Sequence, residues 1–201
     1  MNDIEKKNII LNGILIPALM KLFQIDYDNI RVGVSERNIC ARLAHHMENI
    51  MREYDQINNQ QLFEGYYADV EYNRMGNGDL KMFENSKHVP QTMVSDLLIQ
   101  SRGQERNFLA VEMKRKGNKK HVEEDKQRLE SLVSSSKPYE EKECVHDTLL
   151  GAFITYSPTD VNILLFENIG GQGRQTSEII LKCAKSQYNS SSALLSRDMN
   201  I

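Results

Sequence analysis

The strongest constraint on the fold is a change in the hydrophobic period of the chain after Tyr54. Up to that residue apolar side chains recur at three- and four-residue steps, which is typical of amphipathic helices. Beyond it come five short apolar runs bounded by glycine, asparagine, proline or charged residues, which is typical of strands. The predicted strands are Tyr66–Arg74, Met93–Ser101, Phe108–Lys114, Leu149–Tyr156 and Val161–Glu167.

A charged helical stretch, His121–Val133, separates the third predicted strand from the fourth and is long enough to cross between parallel strands. We therefore predict an α/β protein with a mixed central sheet of about five strands flanked by helices. The predicted order is helix, three strands, helix, two strands, with a further helix at Ser177–Ser186 and a frayed tail. The chain, residues 1–201, reads as a single domain.

Three regions are predicted within this domain: a helical addition over 1–30, a core over 35–167, and a C-terminal helix with tail over 174–201. In the addition, Pro17 must kink or divide the helix. The core opens with a helix capped by Ser35, whose apolar stripe, extended backward, includes Glu36. That carboxylate therefore points toward whatever the helix covers.

Composition excludes a histone-like polycation, because 28 acidic residues outnumber 25 basic ones and the net charge is −3. The three cysteines are widely separated and have no metal-ligand spacing, so we expect reduced thiols in a cytoplasmic protein. The apolar stretch Asn8–Phe23 reads as too short and too interrupted to span a membrane. Asp3 and Glu5 stand where a signal peptide would be basic.

The residues with the clearest chemistry lie on the second and third predicted strands. A turn at Ser101–Gln104, centred near Gln104, would place Asp96 directly opposite Glu112 and on the same face. Lys114, two residues further along, projects from that face as well. A slip of one residue would move Asp96 and Glu112 to opposite faces, so the prediction depends on this turn.

Two opposed carboxylates repel each other unless a cation or a proton lies between them. Hard divalent ions such as Mg²⁺ bind one or two carboxylates together with water and phosphate oxygens, so Asp96, Glu112 and Lys114 form a candidate metal site. The alternative is a structural ion pair at a strand end. The Glu-x-Lys pattern alone is weak evidence, because it occurs four times in the chain. One of the other copies is Glu124–Lys126, in the charged helix.

A basic segment follows the candidate site directly. Residues 113–120 contain no acid and five basic residues, Lys114, Arg115, Lys116, Lys119 and Lys120. Such a segment is suited to hold a phosphate backbone, and the alternative is a solvated loop before a helix.

Together these residues resemble the PD-(D/E)XK nuclease superfamily, which has a restriction-endonuclease-like fold. The resemblance covers Ser35–Glu167 and rests on Glu36, Asp96, the Glu112-Met113-Lys114 string and the crossover helix. Within it, the string around Asp96 and Glu112 looks like a recurrent microbial subgroup. Ser95 stands where the family has its proline, which is not a ligand.

The resemblance implies Mg²⁺-dependent cleavage of phosphodiester bonds in DNA, leaving a 5′-phosphate, with Mn²⁺ as a substitute metal. It implies that Asp96, Glu112 and the Met113 carbonyl hold the metal, and that Glu36 completes the shell directly or through water. Lys114 would orient the attacking water, help to deprotonate it and stabilise developing charge. A restriction, defence or mobile-element role fits this activity.

Several alternatives stay open at this stage. The protein could be a nuclease-fold relic that binds nucleic acid or a protein partner without cutting. RNA is neither supported nor excluded as a substrate, although DNA is preferred, and a homodimer would supply two active sites for double-strand cleavage.

Five further residues and one motif are also candidates. His121 and Asp125 read as a surface pair rather than as cleft residues, and His88 could approach the cleft. His45 and His46 are adjacent in a helix and are interpreted as one surface and one half-buried side chain rather than as a metal site. The glycine-rich segment 170–173 reads as a flexible turn rather than a phosphate loop.

Overall fold

A computed structural model describes residues 1–71, 82–84, 90–92, 94–101, 106–135, 147–185 and 193–197. It confirms an α/β architecture in which helices flank a mixed sheet. Residues 102–104 of the predicted turn, as well as His88 and Cys144, lie outside the described residues.

The chain begins with a nearly continuous helical segment. It consists of α1 (Asp3–Asn8), a π-helical stretch (Ile9–Leu15) and α2 (Ile16–Ile25), and α3 (Tyr27–Val32) follows. The irregularity predicted for Pro17 takes the form of the π-helical stretch just before it, because proline lacks the amide for a regular helical bond.

This segment corrects the prediction that the N-terminal apolar stretch is too short and too broken to span a membrane. As a helix, Asp3–Ile25 has 23 residues and a mean hydropathy of 1.5, so it is long and apolar enough to cross one. In the structure, however, it packs against the rest of the chain, and Ile10, Leu19 and Phe23 are fully buried. Length and composition alone therefore do not decide between a core helix and a membrane helix.

The helix predicted to begin after Ser35 is confirmed as α4 (Glu36–Asn58), and the Ser35 hydroxyl accepts a hydrogen bond from the Asn38 amide. One stripe of this helix is buried, as its period predicts. The buried members include Ile39, Leu43, Met47 and Ile50.

Nine strands are described. They are β1 (Tyr66–Val70), β2 (Met82–Glu84), β3 (Pro90–Thr92), β4 (Leu97–Ser101), β5 (Leu109–Arg115), β6 (Leu150–Tyr156), β7 (Asp160–Ile169), β8 (Gln172–Lys185) and β9 (Ala193–Arg197). Seven of them form one sheet in the order β1-β4-β5-β6-β7-β8-β9, while β2 and β3 form a separate pair. Among the described strand pairs, β5 and β6 alone are parallel, and the predicted crossover helix, α5 (Val122–Val133), connects them.

The predicted register of the central hairpin is confirmed. Leu97 pairs with Val111, and the next two pairs continue the same antiparallel register. Extending it by one residue brings Asp96 opposite Glu112, as expected for a turn centred near Gln104.

The C-terminal helix predicted at Ser177–Ser186 is wrong, whereas Ser190, Ser191 and Ser192 of the predicted frayed tail lie outside the described residues. The segment from Gln172 to Lys185 forms β8, and β9 pairs with it, so the sheet has seven strands rather than five. Ile179 and Leu181 are buried while Ile180 and Lys182 are exposed, which is the period of a strand. A short apolar run does not separate helix from strand, and pairing with β7 decides the matter here.

The sheet divides the core into two layers. One face packs against α2 and α4 and carries Val111, Met113 and Ile154. The other packs against α5 and carries Leu98, Ala110 and Phe153. Because side chains alternate along a strand, Glu112 and Lys114 project toward α5.

The glycine-rich segment does form a turn, and it covers the C-terminal end of α5. The Gly173 amide donates to the Ser134 hydroxyl at 2.9 Å, and a Cβ on Gly173 would lie within 3 Å of the Glu130 carbonyl. Carbonyl oxygens and the negative end of the helix dipole face this turn, so it is poorly suited to hold a phosphate.

Candidate metal-dependent active site

The candidate site begins where β4 ends its pairing with β5. Asp96 precedes β4, and its Oδ2 accepts a 2.7 Å hydrogen bond from the Met113 amide. The side chain thus continues the ladder where the backbone pairing stops. Burial raises the pKa of Asp96, and the hydrogen bond from Met113 only partly opposes this rise.

Glu112, the second predicted carboxylate, is almost fully buried, with 1% of its surface exposed. Its Oε1 accepts a 2.6 Å hydrogen bond from Nη1 of Arg128, on α5. Burial raises the pKa of Glu112 to about 8, and the negative charge of Asp96 contributes to the rise while Arg128 opposes it. The two carboxylates therefore interact electrostatically, as their register predicts.

Lys114 leaves β5 on the same side as Glu112 and meets α5. Its Nζ lies 3.0 Å from Oδ2 of Asp125, and Oδ1 of Asp125 lies 3.2 Å from Nη1 of Arg128. Desolvation opposes the charge on Lys114, but the ion pair with Asp125 outweighs it and the pKa of Lys114 is raised. Lys114 is thus a stable cation, which favours charge stabilisation over the expected help in deprotonating water.

The cluster on this face of the sheet comprises three carboxylates and two cations, namely Asp96, Glu112, Asp125, Lys114 and Arg128. Its formal charge is −1 when all five groups are ionised. Burial is the main cause of the raised pKa values of Asp96 and Glu112, and the neighbouring carboxylates add to it while the two cations oppose it.

Glu36 lies at the end of β5, where α4 begins. Its Oε1 accepts hydrogen bonds of 2.9 Å from the Arg115 amide and from the Asn118 side chain. These contacts fix the end of the strand and the turn after it. Among the described residues, Glu36 makes no hydrogen bond or ion pair with Asp96, Glu112 or Lys114.

The Met113 carbonyl, the third proposed metal ligand, points toward the side of β5 on which Asp96 lies. The Met113 amide points toward Asp96, and the amide and carbonyl of one strand residue face the same neighbour. The described pairing of β4 with β5 ends at Val111, so this carbonyl lies beyond it.

These residues fit a hard divalent ion in their chemistry. Oδ1 of Asp96 and Oε2 of Glu112 receive no hydrogen bond from a described residue, and together with the Met113 carbonyl they form an oxygen donor set beside excess negative charge. Within the described ranges, however, no group of three or more His, Cys, Asp or Glu side chains has a ready metal-binding geometry. A bound ion would therefore take much of its coordination from water and substrate.

The basic segment after β5 is only partly available for binding. Lys116 pairs with Asp160 at 2.6 Å, and the Arg115 guanidinium lies against Gly33, where a Cβ would collide with it. Lys119 and Lys120 are exposed and make no ion pair with a described residue.

Sequence reasoning missed Arg128, and it considered Asp125 as a cleft residue but preferred a surface pair. Asp125 was expected to form a surface pair with His121, but Asp125 is 3% exposed and faces Lys114, while exposed His121 pairs with Glu124. The available signal was the helical spacing, since Asp125, Arg128 and the buried Leu129 and Leu132 share one face of α5.

Comparison of the chain with family models, curated proteins and solved structures finds no match. Fold class and site geometry are therefore the grounds for assigning a function.

Proposed function

We propose that this protein is a Mg²⁺-dependent nuclease that hydrolyses phosphodiester bonds in DNA, with Mn²⁺ as a substitute metal. The observation that carries the proposal is the register of β4 and β5, which supports a site formed by half-buried Asp96, buried Glu112 and the Lys114 cation. The order of α4, three sheet strands, α5 and β6 supports the resemblance to the PD-(D/E)XK superfamily.

In this proposal Asp96, Glu112 and the Met113 carbonyl hold the metal, and Glu36 acts through water or by fixing the end of β5. When bound, the metal supplies Lewis-acid stabilisation of the phosphoryl oxygens and lowers the pKa of water. Lys114, held protonated, stabilises the charge that develops on the phosphate.

The basic segment would bind the backbone of the substrate. Lys119 and Lys120 are exposed, whereas Arg115 and Lys116 would have to leave their contacts with Gly33 and Asp160. Their position directly after β5 puts them close to the proposed reaction site. We further propose a cytoplasmic protein that acts in restriction or mobile-element defence, as a homodimer where both strands are cut.

The test is a nuclease assay on linear and supercoiled DNA with Mg²⁺ and with Mn²⁺. Glu112→Gln and Lys114→Met should each lower the rate by at least about 100-fold, since each removes a group proposed to act in the transition state. Glu124→Gln and Lys126→Met are matched controls, because this second Glu-x-Lys pair lies on exposed or half-buried positions of α5.

The proposal fails if the wild-type protein cleaves neither DNA nor RNA with either metal. It also fails if Glu112→Gln and Lys114→Met retain the wild-type rate. Cleavage of RNA alone would keep the site assignment and change the substrate.

A second candidate function is binding of nucleic acid or a protein partner without cleavage. It is favoured by the internal pairing of the cluster, because Glu112 pairs with Arg128 and Lys114 with Asp125 without any metal. Calorimetry separates the two candidates. A nuclease should bind Mn²⁺ through Asp96 and Glu112, whereas a relic should show no binding that depends on them.

A further inference from the structure

We propose that Asp125 is the positioning residue for Lys114, and that it fixes the lysine ammonium at the end of β5. The role of a fixed ammonium in catalysis rests on the proposed nuclease function. It does not follow from the Glu-x-Lys pattern, because Asp125 lies on the crossover helix, eleven residues after Lys114 in the sequence.

The first ground is the contact between Asp125 and Lys114. Nζ lies 3.0 Å from Oδ2 of Asp125, and no other described carboxylate lies within ion-pair distance of it. The Lys114 side chain is 14% exposed and the Asp125 side chain 4% exposed, so water screens this pair little. A lysine side chain has four rotatable bonds, and an unpaired ammonium would occupy many positions.

The second ground is that Asp125 is itself held in place. Arg128, one turn later on α5, contacts Oδ1 of Asp125 at 3.2 Å and Oε1 of Glu112 at 2.6 Å. The Asp125 amide also donates to the His121 carbonyl, which ties it to the first turn of α5. A carboxylate fixed at both its backbone and its second oxygen can hold a flexible ammonium in one place.

The third ground is the position of α5. Leu129 and Leu132 on this helix are fully buried against the sheet, so the helix cannot roll without breaking the second core layer. Asp125 lies one turn before Leu129 on the same face. The distance between β5 and the Asp125 carboxylate is therefore set by core packing.

The experiment measures the reactivity of individual lysines rather than activity. The full-length protein is treated with a water-soluble acetylating reagent, and modification is followed by peptide mass spectrometry. Lys114 should react at least about tenfold more slowly than exposed Lys119, because the buried ion pair must open first. Asp125→Asn keeps the shape but loses the charge, and it should bring the Lys114 rate close to that of Lys119.

The control variants separate positioning from loss of fold. Asp125→Glu keeps a carboxylate at this position, so Lys114 should react almost as slowly as in the wild type. Glu124→Gln, on the exposed side of α5, should leave the Lys114 rate unchanged. The rate at half-buried Lys114 relative to Lys119 is compared only for variants whose melting curves stay cooperative. If Asp125→Asn does not fold, the wild-type and Asp125→Glu rates still decide the contact.

Nuclease kinetics then measure the effect of the Asp125 contact on catalysis. Asp125→Asn should lower kcat by about 10- to 100-fold with KM changed little, as expected when a supporting residue is lost. Rapid labelling of Lys114 in the wild-type protein, or unchanged labelling in Asp125→Asn, would overturn the inference. Normal protection with no cleavage by any form of the protein would leave the positioning intact and reject the nuclease proposal.

Discussion

Nη1 of Arg128 lies 2.6 Å from Oε1 of Glu112, so a cation from α5 occupies one oxygen of a carboxylate that is also a proposed metal ligand. In a metal-free protein this contact offsets part of the cost of burying Glu112. For a bound ion it is a competing positive charge. Through the contact of Arg128 with Glu112, the affinity of the proposed site for metal would depend on α5, a helix that supplies no proposed ligand.

We expect Arg128→Gln to bind Mn²⁺ about tenfold more tightly than the wild type, a change of about 1.4 kcal/mol. The substitution frees Oε1 of Glu112 and changes the cluster charge from −1 to −2. Isothermal titration calorimetry gives the affinity. Arg52→Gln is the matched control, because Arg52 pairs with Glu48 on the solvent-facing side of α4. Weaker Mn²⁺ binding by Arg128→Gln would show that Arg128 instead holds Glu112 in place for the metal.

We expect the metal-free protein to lose stability as the pH rises from about 5 to about 8. Burial raises the pKa of Glu112 to about 8 from an ordinary value of 4.5, so over this interval the folded state keeps a proton that the unfolded state has lost. The free energy of unfolding should then fall by at most about 1.4 kcal/mol per pH unit from this group. Urea denaturation at several pH values measures the slope.

Two comparisons identify the source of this pH dependence. Glu112→Gln should flatten the slope, because the amide does not titrate. Saturating Mn²⁺ should also flatten it, because a cation favours the ionised carboxylate. A slope that is the same in Glu112→Gln would assign the pH dependence to other groups, of which Asp96 is the nearest with a raised pKa.

A second buried polar cluster, away from the proposed site, should matter for stability. Asp26 accepts from Arg42 at 2.7 Å and lies 2.6 Å from Nε2 of His46, which is 4% exposed and more deeply buried than predicted. Asp26→Asn should lower the free energy of unfolding by about 3 kcal/mol, because Asp26 is buried and the substitution removes the charge that pairs with Arg42 and contacts buried His46. Asp28→Asn is the control, since the Asp28 pair with Arg31 is exposed and should contribute under about 1 kcal/mol.

The start of β8, just after the turn that follows β7, should not tolerate a side chain at Gly173. A Cβ there would collide with the Glu130 carbonyl, a backbone group that cannot move aside cheaply. Gly173→Ala should therefore destabilise the protein by at least about 2 kcal/mol in thermal denaturation. Gly13→Ala is the control, because its Cβ meets only ordinary contacts at 3.6 Å, and we expect a change within about 1 kcal/mol.

Under the proposed function, the exposed lysines should set the salt dependence of DNA binding. Replacing both Lys119 and Lys120 with alanine should reduce the slope of log K against log salt by about 1.8, since each phosphate contact contributes about 0.9. Fluorescence anisotropy at several salt concentrations measures it. Lys21→Ala is the control, because Lys21 pairs with Glu53 on the helical side; an unchanged slope in the double variant would exclude these lysines from the interface.

The sequence alone determined the features that depend on local pattern. The Ser35 cap, the α4 stripe, the crossover helix and the hairpin register follow from helix capping, hydrophobic period and turn position, and the structure confirms all of them. The predicted opposition of Asp96 and Glu112 extends this register one residue beyond the last described pair, Leu97 with Val111.

Only the tertiary structure decided the rest. The segment around Ile179 is a strand because it pairs with the edge of β7. In so short an apolar run the hydrophobic period alone does not distinguish a helix from a strand. Asp125 and Arg128 joined the site because α5 packs its apolar face onto the sheet and carries them inward with it. Burial, and with it the raised pKa of Glu112, is a property of that packing and cannot be assigned before the layers are in place.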